Sequence, residues 1–222
     1  MADPRSNASP RERLARAGTP DADTDDHPST DGRHARADRS RTAVLDALVE
    51  LISSGQVPTT ADVAAAAGLS ERSLFRHFDN RDALFLAAVD RFVEEILPKV
   101  VEIPPEGPLD DRLQRFVTTR GDLYDEISPL RRAGPVYAAR SEALRLRIID
   151  VRDFFRQQIA WTFGPELSGL SKSGRADLLD VLDALLDWTT WDQLRTLRGA
   201  STKRTCDLLV RSASVLIADA LD

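Results

Sequence analysis

Between Glu71 and Phe78 the sequence reads Glu-Arg-Ser-Leu-Phe-Arg-His-Phe. On a helix advancing about 100° per residue, Arg72, Ser73, Arg76 and His77 share an arc of roughly 140°, and Leu74 and Phe78 fall on the opposite side. One side of such a helix can pack inward while the other offers guanidinium, hydroxyl and imidazole donors. Two arginines one turn apart suit guanine edges or neighbouring phosphates, and a major groove about 12 Å wide admits one helix. Other chemistries lack their residues. The single cysteine, Cys206, cannot form an internal disulfide, and the three histidines, at positions 27, 34 and 77, make no metal-ligand cluster. There is no phosphate loop, no H-E-x-x-H, and no convergent set of acid, base and nucleophile. The sequence therefore predicts a protein that is not an enzyme and that uses neither cofactor nor metal.

Such a reading segment needs elements to hold it. Val44, Leu45, Leu48, Leu51 and Ile52 recur at the spacing of one helical face, predicting a first helix from Arg39. It ends at Ser53-Ser54-Gly55, where glycine suits a left-handed cap, and Pro58 prevents continuation. Thr59 or Thr60 caps a second helix, Asp62 suits its positive end, and the alanines through Ala67 propagate it. Gly68 breaks that helix and Ser70 caps the next, which is expected to run from Glu71 to about Phe78. Short helices joined by a glycine-containing turn are the signature of a helix-turn-helix. Asp79 or Asn80 caps a fourth helix, with Leu84, Phe85, Ala88, Val89, Phe92, Val93 and Ile96 on its apolar side and Pro98 at its end.

The rest of the chain is read more coarsely. Residues 1–38 carry almost no large apolar side chains and are expected to form a disordered tail. Pro104, Pro105, Gly107 and Pro108 mark a linker. Helical stretches are predicted over 109–127, 129–140, 142–163, 174–198 and 201–221, separated by Pro129, by Gly164-Pro165 and by Gly199. No β-alternation occurs, so the predicted fold is all-α, with about nine helices. No apolar run approaches the roughly 18–20 residues of a membrane span, and the amino terminus lacks the apolar core of a secretory signal, so a cytoplasmic protein is expected. A net charge of −6 argues against a general basic coat. Specific DNA contact, however, requires only a local positive patch.

The stretch from Arg39 to Phe92 closely resembles the TetR regulators. The likeness is carried by Thr59-Thr60-Ala61-Asp62-Val63-Ala64 and by the run from Ala67-Gly68-Leu69-Ser70 through Glu71-Arg72-Ser73-Leu74-Phe75-Arg76-His77-Phe78 to Asp79-Asn80-Arg81-Asp82-Ala83-Leu84. The resemblance implies an amino-terminal three-helix DNA-binding domain over 39–83 and a carboxy-terminal helical bundle for ligand binding and dimerisation over 84–222. By position, Thr60 would contact phosphate, Glu71, Arg72 and Ser73 would read bases, and His77 and Arg81 would touch phosphate. Thr59, Ser70, Phe75 and Arg76 complete the expected DNA-binding set. Two departures stand out, since the family usually has tyrosine where this chain has Phe75 and lysine where it has Arg81. Arg81 keeps the charge, whereas Phe75 loses a hydroxyl.

Arg33, Arg36, Arg39 and Arg41, with His34, form a basic cluster before the first helix. It reads equally as an arm lying along a minor groove and as a solvated linker. In the resemblance, the last two long helices pair with their copies in a second subunit, for which Leu182, Leu185, Leu186, Leu209, Ala213, Leu216 and Ile217 are the candidates. A homodimer would place two reading helices about 34 Å apart on an inverted-repeat operator. In the resemblance a small-molecule effector is expected to release it, with Phe116, Tyr124, Tyr137, Phe154, Phe155, Trp161 and Trp188 as candidate lining residues, although each of them taken singly is better suited to plain bundle core. The alternative reading is a dimeric ligand-binding adaptor whose helix-turn-helix is degenerate.

Overall fold

Capping side chains decide where the helices of the amino-terminal module begin. The computed structural model describes residues 31–139 and 141–222, with side chains from residue 35 onward. Residues 1–30, the side chains of Arg33 and His34, and Arg140 lie outside that description. Helix α1 runs Asp31–Ser53, α2 Thr60–Ala66, α3 Glu71–Leu74 and α4 Arg81–Ile96. Thr59, not Thr60, caps α2: its hydroxyl accepts from Asp62 N at 3.2 Å while Asp62 Oδ2 accepts from Thr59 N at 2.8 Å. This reciprocal pair satisfies two otherwise orphaned donors. The Thr59 hydroxyl, donating to Asp62 Oδ2 at 2.7 Å, and then the Thr59 N–H hold the Asp62 carboxyl below its usual pKa. Ser70 caps α3 by accepting from Ser73 N (3.2 Å), and Asn80 caps α4 by accepting from Ala83 N (2.9 Å). Between α2 and α3, Gly68 has φ 68°, a left-handed conformation that a side chain would resist. The apolar faces meet in one core of Val44, Leu48, Ile52, Val63, Leu74, Phe78, Leu84 and Phe85, to which Tyr137 and Leu144 also belong.

Beyond α4 the helices are α5 (Leu109–Ala138), α6 (Glu142–Thr162), a single turn over Gly164–Ser168, α7 (Lys172–Leu186), α8 (Trp188–Asp192) continued by a π-turn over Gln193–Leu197, and α9 (Thr202–Leu221). No strand occurs among the described residues, and no helix among them is long and apolar enough to cross a membrane. The fold is all-α, as the patterning requires.

Three boundaries differ from the sequence expectation. Helix α1 starts at Asp31, so residues 31–38 are helical and not part of a tail. Residues 35–39 are exposed, and an exposed extension carries no apolar stripe for periodicity to detect. Helix α5 passes through Pro129 and Pro135 without breaking. A proline inside a helix costs about 3 kcal/mol. Burial of Tyr124, Ile127, Ala133 and Tyr137 on either side of Pro129 outweighs this, since a large apolar side chain contributes about 1.5–3 kcal/mol. The predicted single helix over 174–198 divides at Asp187, whose ψ of 153° is extended and whose carboxylate caps α8 at Thr189 N (2.8 Å). The Leu186 carbonyl orphaned by that break accepts the Tyr124 hydroxyl at 2.9 Å.

The chain folds as two compact units that interleave in sequence: one holds the described residues up to Leu97 together with Pro129–Val151, the other Pro98–Ser128 with Arg152–Asp222. The first thus takes in all of α4 and the adjoining ends of α5 and α6, where the sequence suggested a single boundary after residue 83. Long helices that run from one unit into the other carry no composition change to mark the crossing.

In the second unit Trp191 is fully buried against Gly121, where an added Cβ would lie 2.3 Å from Trp191 Cη2. Trp191 is also anchored through Nε1–H to Asp125 Oδ1 (2.8 Å), so it cannot swing aside freely. Gly121→Ala is expected to destabilise the protein by about 3 kcal/mol, the upper end of ordinary overpacking. Chemical denaturation checks this, and Trp191→Phe should recover part of the loss in the double variant.

Candidate nucleic-acid interface

Helix α3 is regular only from Glu71 to Leu74. Beyond it the backbone tightens, with Arg76 N bonded to Ser73 O (3.3 Å) and His77 N to Leu74 O (2.9 Å), each an i to i−3 bond. Winding at about 120° per residue instead of 100° carries His77 away from the reading side and leaves Arg72, Phe75 and Arg76 together on it. Exposure agrees: Arg72 and Arg76 are exposed, Phe75 is 42% exposed, and Ser73 and His77 are half-buried. The exposed face of this turn is therefore Arg72, Phe75 and Arg76, and not the arc of Arg72, Ser73, Arg76 and His77 that an ideal helix implies. Phe75, placed by sequence at the edge of the packed side, stands at the centre of this face.

The neighbouring polar groups brace that surface. Thr60 Oγ1 donates to Glu71 Oε1 at 2.6 Å, tying the start of α2 to the start of α3. The Ser70 hydroxyl donates to Ser73 Oγ (3.0 Å), and Arg76 Nη2 reaches the same oxygen at 3.3 Å. Arg41 Nη1 donates to the His77 carbonyl at 2.7 Å, and its guanidinium lies 4.4 Å over the Phe78 ring. Arg41 thus fastens α1 to the end of the reading turn and is not a free member of a basic arm. Arg39 is exposed and, among the described residues, bonds within its own helix, Nε to Ala35 O at 3.1 Å. Arg81 is exposed at the start of α4, with its guanidinium 5.3 Å from the Phe85 ring and 6.0 Å from that of Tyr137. A short turn that presents two guanidiniums around one aromatic ring, held from behind by hydroxyls and carbonyls, is built to meet an anionic, groove-bearing surface.

Residues 44–88 match the sequence model described as "Bacterial regulatory proteins, tetR family". Those residues form an amino-terminal domain of the TetR type. The chain's relatives include the HTH-type transcriptional repressor LfrR of Mycolicibacterium smegmatis, 33% identical over 88 residues, which are 39% of this chain and 46% of that protein. The nucleoid occlusion factor SlmA of a Marinomonas species is 28% identical over 54% of this chain and 63% of its own. The HTH-type transcriptional repressor KstR2 of Rhodococcus jostii is 24% identical over 87% of this chain and 96% of its own. The match thus spans under half of the first of these relatives and under two thirds of the second. A solved structure of a tetR-family transcriptional regulator from Streptomyces coelicolor shares the fold, with a TM-score of 0.65 at 24% identity over 82% of each chain.

The expected dimer residues are largely spent on the monomer. Leu182, Leu186, Leu209, Ala213 and Ile217 are buried within the second unit, where α7 packs on α9. Only Leu185 and Leu216 are half-buried. The large apolar groups these helices leave exposed are others, Val181 on α7 and Val215 and Leu221 on α9. Counting apolar residues on two sides of a helix cannot tell which side the domain's own core takes.

The aromatic set separates as well. Phe116, Tyr124, Phe154 and Trp188 are buried in the second unit and Phe155 half-buried, with Tyr124 and Phe155 ring centroids 6.3 Å apart. Tyr137 belongs to the first unit and stacks on Phe85 at 4.1 Å, while Trp161 is 53% exposed and faces away from the core. Trp161 thus lies outside the interior of its own unit. Trp188 is held structurally, its Nε1–H donating to Ser128 Oγ at 2.9 Å. Cys206 is buried, and desolvation raises its thiol pKa, which leaves it a packing residue. The described residues contain no cluster of histidine, cysteine and carboxylates able to hold a metal.

Proposed function

We propose that this protein is a TetR-type transcriptional repressor that works in the cytoplasm, grips an inverted-repeat operator as a homodimer, and is released by a small molecule. The observation that carries the reading is the exposed Arg72, Phe75 and Arg76 face on a braced helix-turn-helix. Arginine reads guanine O6 and N7 bidentately, and a phenyl ring can rest on a thymine methyl or a sugar, so the three side chains combine polar and apolar readout. The repressor names of two relatives support the direction of control.

One such turn engages too few groups to hold DNA alone. A second copy, about 34 Å away on the same side of the duplex, supplies the rest. The exposed Val181 and Val215, beside the half-buried Leu185 and Leu216, are the surface offered to that copy. Release requires a ligand that favours one spacing of the two reading turns, and a coupling of about 1–3 kcal/mol would change operator affinity some 5- to 150-fold.

Selection of bound sites from a random duplex pool tests the reading. The recovered sequences are expected to be inverted repeats with half-site centres one helical turn apart, bound with steep salt dependence. Recovery of no consensus, or of a single half-site bound by a monomer, would overturn it.

A further inference from the structure

Among the described residues three arginines are buried, and they are not treated alike. Arg112 is gripped by both carboxylate oxygens of Glu166 and by the carbonyls of Gly107 and Thr162. Arg147 pairs with Asp90 at 2.6 Å. Arg120, only 6% exposed, has no carboxylate partner among the described residues. Burial disfavours its charge; Tyr124 favours it most, and Asp183 and Asp187 do so from further off, but each of these carboxylates is engaged by another arginine, Arg156 and Arg152 respectively.

We propose that Arg120 is the charge-recognising group of a small-molecule site in the second unit, and that its ligand is a monocarboxylate with an aromatic or aliphatic body. The proposal rests on the ligand-responsive reading above and names the chemistry of its effector.

The surroundings of Arg120 are those of a receptor. Its Cζ lies 4.5 Å from the Phe155 ring centroid, 4.7 Å from that of Phe116 and 5.8 Å from that of Tyr124, a cage that holds the guanidinium flat by its π-faces. Nη2 donates to Gln158 Oε1 at 2.5 Å. Gln158 is itself 3% exposed, and its Nε2 is buried without a partner. Arginine has five N–H donors in a fixed fork, and this one, which also meets the Tyr124 hydroxyl, sits beside an amide whose Nε2 is unused. Burial of this kind opposes the charge, and it is normally offset by an anion.

The class of anion follows from the count of groups. One guanidinium and one amide match a single carboxylate, whose two oxygens take the fork bidentately. A phosphate dianion would bring a second charge with nothing to meet it. The remaining walls, Phe116, Gly121, Tyr124, Trp191 and Leu209, are apolar or aromatic, which suits a hydrocarbon body. The cavity that Arg120 lines has a volume of about 10 Å³, the space of a single water. A ligand therefore has to widen it, and the half-buried Phe155 is the side chain placed to move.

The test uses the full chain and two matched probe pairs, phenylacetate with phenylacetamide and octanoate with octanamide, titrated calorimetrically. Each acid is expected to bind at least tenfold more tightly than its amide. That preference should vanish in Arg120→Met and survive in part in Arg120→Lys. Arg120→Met should also melt at a higher temperature than the parent, because it removes an unpaired buried charge, whereas a structural cation would lower it. Equal binding of acid and amide, binding of neither up to millimolar concentration, or a preference retained by Arg120→Met would overturn the proposal. Operator binding is measured alongside. A parent protein that captures its operator but shows no acid preference loses the anion site and keeps the repressor reading. An acid preference without operator release keeps the site and removes its regulatory role.

Discussion

Replacing both Arg72 and Arg76 with alanine is expected to weaken capture of the selected operator by at least about 30-fold, because each arginine that reads a base contributes about 1–3 kcal/mol. Both side chains are exposed, and neither is part of the module's core, so the double variant should melt with the parent. The single variants separate two ways of contributing. If an arginine reads a base edge, its loss relaxes specificity at one position of the half-site. If it meets phosphate, its loss weakens all duplexes alike and flattens the salt dependence by about one unit of slope. Arg175→Ala, an exposed arginine on α7 in the other unit, is the control. Gel-shift titrations across a range of salt concentrations supply these readouts, and a double variant with parental affinity would remove α3 from the mechanism.

Glu166→Ala is expected to destabilise the protein by about 3–5 kcal/mol, the cost of leaving a buried charge without its partner. The Arg112 side chain is 4% exposed and that of Glu166 is 12%, so water cannot take the place of the lost carboxylate. Two hydrogen bonds would remain, from Nη1 to Thr162 O (2.6 Å) and from Nε to Gly107 O (3.1 Å), but carbonyls do not neutralise a guanidinium. For a protein of this length the loss corresponds to roughly 6–20 °C in melting temperature. Arg112→Met combined with Glu166→Gln should recover most of it, since removing both charges also removes the desolvation penalty. Thermal melts followed by circular dichroism decide the matter, and a loss below about 1 kcal/mol would mean that the pair is better solvated than its burial implies.

Arg112 and Arg120 were both visible in the sequence as intruders on an apolar stripe. With Phe116 and Tyr124 they fall at four-residue intervals on the side of α5 that also carries Leu113, Val117 and Leu123. Helical spacing alone therefore marks them as buried. It cannot say which of them has a carboxylate, because Glu166 lies 54 residues from Arg112 along the chain and meets it only through folding. The same limit applies to α7 and α9, where periodicity found the apolar residues but could not assign Leu182 and Ile217 to the core and Val181 and Val215 to the surface.

What the sequence determined by itself is the set of features written in neighbouring residues. Thr59 with Asp62, Gly68, Ser70 and Asn80 place the helix-turn-helix, because a cap or a left-handed turn acts across three or four positions and needs no distant partner. Tertiary structure alone decided the rest. The tightening after Leu74 brings Phe75 into the reading face. Packing on both sides carries α5 through Pro129, and the Tyr124 hydroxyl takes up the carbonyl that a break at Asp187 exposes. In each case a local preference of about 1–3 kcal/mol is overruled by burial or by a partner far along the chain, and only the folded molecule brings that partner near.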